Sequence, residues 1–88
     1  MSPCPPLGII DRKRAGAWMR ARRKASPLRL TQFDVAAGIG EGIGHATISF
    51  YEKGQAMPML ETFVGWALAL DLDPVEALRE LLAEAGTA

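Results

Sequence analysis

His45, Thr47 and Ser49 crowd into one short stretch of the chain, with Ala46 and Phe50 among them and Lys53 and Gln55 just beyond. Arg29, Thr31 and Gln32 stand upstream, across a run of alternating glycines. These residues do not form a nucleophile–base set. The chain has a single histidine, and its one cysteine, Cys4, sits in a proline-rich start. What the stretch offers is hydrogen-bond donors and acceptors rimmed by cations. Such side chains suit the polar edges of base pairs in a groove and the phosphates beside it. His45 can donate to guanine N7 or O6, while Ala46, Thr47 and Phe50 can touch a thymine methyl. Plainer readings stay open: His45 as a surface histidine, and Phe50 as part of the core or of a protein interface.

The elements that must position these groups lie between Leu30 and Gly54. Thr31 is a helix N-cap, with Asp34 at N3 completing a capping box. Phe33, Val35, Ala36 and Ala37 are expected to supply the buried side of this short helix. Gly38, Gly40, Gly42 and Gly44 follow, and such a run lets the backbone take positive φ and lets two helices approach closely. A second helix is expected over about 44–53, with Ile48 and Tyr51 inward and Gly54 as its C′ residue. Two short helices across a tight turn make a helix-turn-helix, whose second helix fits a DNA major groove. Arg29, Thr31, Gln32, Lys53 and Gln55 fall at its mouth, where phosphates would lie.

The rest of the chain also reads as helix. Asp11 is an N-cap for a helix over about 11–25, which Ser26-Pro27 stops. A further helix is expected over about 60–71. Asp73-Pro74-Val75-Glu76 starts a last one, reaching about Ala85. Residues 1–10, with Pro3, Pro5 and Pro6, read as an irregular tail from which Leu7, Ile9 and Ile10 can tuck against the domain. Residues 11–88 then form one all-α domain, in keeping with a length of 88 residues. No segment shows strand alternation. No Cys/His set has zinc spacing, neither nucleotide-loop signature is present, and no apolar run is long enough to span a membrane. The start does not read as a signal peptide, and no metal or cofactor is expected.

The net charge of zero hides a segregation of charge. Residues 1–30 carry eight cations against the single acid Asp11, whereas residues 31–88 carry Lys53 and Arg79 against nine acids. Such asymmetry fits a polyanion partner for the basic half. It equally fits a first helix (Arg20, Arg22, Arg23, Lys24) folded onto the acids of the last (Glu76, Glu80, Glu84). Arg12-Lys13-Arg14 are read either as a solvated helix start or as a phosphate-tracking arm.

Leu30-Thr31-Gln32, Val35-Ala36, Thr47-Ile48-Ser49, Tyr51-Glu52-Lys53-Gly54, Pro58 and Ala67-Leu68-Ala69-Leu70 resemble, in order and spacing, the Cro/phage-repressor-type helix-turn-helix family (XRE family). The resemblance covers about residues 15–80. It implies a compact lambda-repressor-like bundle of about five helices that binds a double-stranded DNA operator as a homodimer. It implies that Gln32 contacts a phosphate and that His45, Ala46 and Thr47 form the exposed start of the reading helix. Ser49 and Phe50 match its next outward positions, and Ile48 and Tyr51 match core positions. Glu52 matches a residue that pairs with an arginine of the first helix, here Arg23 or Arg22. The chain departs from the pattern in a turn lengthened by Gly40-Glu41 and an extended link over Ala25–Arg29. Gly44 replaces the usual side-chain cap, and the reading helix lacks arginine.

The implied function is a non-enzymatic transcriptional regulator, a repressor more than an activator, in the bacterial or phage-host cytoplasm. Val64, Trp66 and Leu68 would serve either a dimer face or packing within the chain. One alternative is an antitoxin that uses the same fold to hold a toxin or another regulator. Another is a protein-interaction module that has lost operator binding.

Overall fold

Asp11, Thr31 and Asp73 each turn a side-chain oxygen onto the free N–H groups that follow, and each begins a helix. The computed structural model describes residues 10–40 and 42–86. Its helices are α1 (Arg12–Ala25), α2 (Gln32–Ile39), α3 (His45–Glu52), α4 (Leu60–Ala69) and α5 (Pro74–Ala85). Thr31 and Asp34 form the full capping box expected from their spacing: Thr31 Oγ1 accepts from the Asp34 N–H and Asp34 Oδ2 from the Thr31 N–H. Pro74 occupies the first turn of α5, where its missing N–H costs nothing. Gly44 starts α3 in an extended conformation with no side-chain cap. The expected all-α bundle is therefore the observed fold. Among the described residues the one strand-like feature is an antiparallel bridge between Ile10 and Gly86, beside which the Asp11 N–H donates to the Ala85 carbonyl at 2.7 Å.

The core is built where the five helices converge. Trp18 of α1 packs on Phe63 and Trp66 of α4, with ring centroids 6.4 and 5.3 Å away, and Phe63 lies 5.6 Å from Trp66. Met19, Val35, Ile48 and Trp66 are the largest fully enclosed side chains, so α1, α2, α3 and α4 each contribute one. Leu81 and Ala85 close the core from α5. Trp66 is thus used within the chain, while Leu68 points outward at 62% exposure.

Two close approaches fix α3 against α1. A Cβ on Gly16 would collide with the carbonyl oxygens of Tyr51 and Glu52, so only glycine lets the helices touch there. Gly54 follows α3 with φ of 76°, and a Cβ on it would stand 2.8 Å from Lys13 Cα. Its N–H donates to the Tyr51 carbonyl and that of Gln55 to the Phe50 carbonyl, the paired bonds of a Schellman stop. α4 ends the same way with Asp71 in the left-handed position, φ of 59°.

Three expectations change. Phe33 is 65% exposed and Ala37 is also outside, so neither joins the buried side of α2. Counted from buried Val35 and Ala36, the same helical face recurs at Gln32 and Ile39, not at Phe33. The turn glycines are not equivalent either. Gly40 and Gly42 take positive φ, whereas Gly38 belongs to α2 and lies against Ala69. α4 stops at Ala69, two residues before the expected 71. Glu41, Leu7, Ile9 and the rest of the expected 1–10 tail before Ile10 lie outside the described residues.

Candidate nucleic-acid interface

α3 is held from behind by three residues. Ile48 is fully buried, Tyr51 nearly so, and Glu52 is a buried carboxylate. A buried charge needs partners, and Glu52 has them on two other helices. Arg23 of α1 grips it with both arms of its guanidinium, Nε to Oε2 at 2.7 Å and Nη2 to Oε1 at 3.0 Å. Gln32 Nε2 of α2 donates to Glu52 Oε1 at 3.1 Å. Arg23 Nη1 also donates to the Leu30 carbonyl at 3.2 Å, bracing the entry to α2. Glu52's hydrogen bonds, and then its charge, hold the Arg23 guanidinium above its ordinary range against the opposing cost of burial. Of the two arginines open to pair with Glu52, Arg23 takes it. Arg22 instead faces Glu80 of α5 at 3.6 Å, so the basic first helix does meet an acid of the last.

The opposite side of α3 faces outward. His45, Ala46, Phe50 and Lys53 are exposed, and Thr47 and Ser49 are half-buried. These residues form one side of a short helix, while Ile48, Tyr51 and Glu52 form the other. Thr31 and Gln55 are exposed, as is Arg29, which takes φ of 55° where the link turns into α2. Val35 and Ala36 are buried under the motif, and Gly54 closes it.

Charge composition leaves the partner of one neighbour of this surface open, and hydrophobicity points the other inward. Arg20 of α1, with Arg23, Gln32, Ser49, Glu52 and Lys53, lines an open notch of about 200 Å³ between the start of α2 and the end of α3. Glu52 is engaged by Arg23, so Arg20 and Lys53 set the sign of the notch. Residues three apart are neighbours on one face of a helix, and Arg20 stands three before Arg23. That spacing was the available signal. The second neighbour is Phe33, whose ring stacks on His45 with centroids 4.1 Å apart and planes at 22°. Among the described residues, no group of three His, Cys, Asp or Glu side chains could hold a metal ion.

The family description "helix-turn-helix" matches residues 19–76, from within α1 to the first turn of α5. The chain is a member of the helix-turn-helix family. Membership of the XRE type accords with the motif residues and with the anchored α3. A solved structure, the restriction-modification controller protein C.AhdI from Aeromonas hydrophila, is similar at 28% identity and a TM-score of 0.66. That match covers 76% of this helix-turn-helix protein and 91% of the controller chain. None of the curated proteins compared matches it. Family and fold together support a DNA-binding transcriptional regulator. Among the described residues, no helix is long and apolar enough to cross a membrane.

Proposed function

We propose that this helix-turn-helix protein represses transcription by laying α3 in the major groove of a duplex operator, bound as a homodimer in the bacterial cytoplasm. The observation that carries the reading is the two-sidedness of α3. Its buried side is locked to α1 and α2 through Glu52, and its free side carries His45, Ala46, Thr47, Ser49 and Phe50. In this reading His45 donates to a guanine edge and Thr47 and Phe50 meet thymine methyls. Arg29, Thr31, Gln32, Lys53 and Gln55 contact phosphates, and the notch adds Arg20 to that set. Leu68 and Val75, each 62% exposed, supply apolar surface on α4 and α5 for a second copy. Similarity to a restriction-modification controller makes the promoter of such a system the first setting to try.

The test is selection of bound duplexes from a random pool, followed by affinity measured against salt on the enriched sequence. A palindrome with half-sites about 34 Å apart is the expected result for a two-fold dimer. Failure to enrich any sequence, with weak binding lost at moderate salt, would overturn the operator reading. The exposed rings of Phe33 and Phe50 would then favour a protein partner, a toxin or another regulator.

A further inference from the structure

Phe33 poses a physical problem. A phenylalanine 65% exposed on the second residue of α2 forgoes the stabilisation that burial would give it. Its one aromatic neighbour among the described residues is His45, the first residue of α3, in a stack that crosses the turn between the two helices. Both residues are exposed, so this contact is made on the surface of the motif and not in the core. Gly44, the cap of α3, has no side chain to hold the start of that helix. The stack is therefore a surface contact that restrains the His45 ring at the start of α3.

We propose that Phe33 is a positioning residue for base recognition: it orders the His45 imidazole before DNA arrives and so sharpens the choice of one base pair. This rests on the reading of α3 given above. An exposed histidine samples several rotamers, and fixing a side chain on binding costs affinity. A stack covers the face of the imidazole and leaves its edge, with both nitrogens, directed elsewhere. The edge is the part that hydrogen-bonds a guanine in the major groove. The ordering cost is then met during folding, and binding keeps the full value of the contact. Phe33 needs no contact of its own with a base for this role.

A double-mutant cycle on the duplex enriched from a random pool separates the possibilities. His45→Ala is expected to weaken binding about 5- to 150-fold and to relax one base-pair position. Phe33→Leu should weaken it about 2- to 10-fold and relax that same position. In the His45→Ala background, Phe33→Leu should change nothing further. Phe33→Trp, which keeps a ring to stack on, should restore both affinity and selectivity. Urea midpoints of the exposed-site variants should stay with the parent, which excludes loss of fold as the cause. Equal effects of Phe33→Leu in both backgrounds, or none in either, would overturn the proposal while leaving α3 as the reader. An unchanged His45→Ala would remove His45 from the reading set and overturn this inference, and no enriched duplex would overturn the reading of α3 as well.

Discussion

Arg23 and Glu52 meet through two parallel hydrogen bonds, 2.7 and 3.0 Å, with side chains only 11% and 2% exposed. The pair joins the end of α1 to the last residue of α3, and Gln32 extends the tie to α2. One buried carboxylate thus ties α3 to two other helices. Glu52→Ala strands the largely buried Arg23 guanidinium beside the open notch, which should cost about 2–4 kcal/mol in urea unfolding. Replacing both partners, Arg23→Met with Glu52→Leu, should cost clearly less, because no charge is left buried. Equal losses for the single and double variants would show that the charge is not the reason.

Asp71 ends α4 in the left-handed region, at φ of 59°, where a side chain is unfavourable and glycine is not. Asp71→Gly is expected to raise stability by a few tenths to about 1 kcal/mol, read from thermal and urea midpoints. The outcome is opposite for Gly54→Ala. There φ is 76° and the new methyl would stand 2.8 Å from Lys13 Cα, so a loss above about 1 kcal/mol is expected.

Acid should loosen the start of α2. The Thr31 backbone N–H, first, and its hydroxyl hold the Asp34 carboxyl below its ordinary value. A group depressed on folding stabilises the fold fully above its unfolded value, about pH 4, and loses that contribution as pH falls through the folded value. Parent stability should therefore fall below pH 4 more steeply than that of Asp34→Asn, measured as urea midpoints across that range. Parallel pH profiles would remove the capping box from the acid response.

Salt dependence tests the proposed division between phosphate contacts and base readers. Arg20→Ala and Lys53→Ala should each weaken binding to all duplexes alike and lower the slope of log affinity against log salt by about 1. His45→Ala should leave the slope nearly unchanged while relaxing one base position. An unaltered slope in Arg20→Ala would remove the notch from the interface.

Helix positions were legible because their signals are local. Asp11, Thr31 and Asp73 cap through their own side chains, and Gly54 stops α3 because its φ demands it. The Glu52 pairing came through the family resemblance, and the choice of Arg23 over Arg22 depended on which face of α1 meets α3. Phe33 is hydrophobic, which points it inward, while its spacing from Val35 and Ala36 points it outward. Its actual partner lies across the turn, and one-helix periodicity carries no information about that contact. Charge composition does not separate Arg20 from its basic neighbours, because it does not say which cation turns toward which helix. Residues that act within one turn of helix were readable from spacing alone, whereas between helices the choice of partner needed the packing.

Ile10 and Gly86 lie side by side, bridged as a minimal pair of strands, with the Asp11 N–H on the Ala85 carbonyl. The polypeptide enters and leaves the bundle at one place. A module with adjoining ends can be spliced into an exposed loop of a host protein without spreading that loop apart. Joining these ends by a short linker and reopening the chain at another surface loop should likewise preserve the five-helix packing. The bundle has the geometry of a portable cassette, whose α3 surface can travel between proteins as a unit.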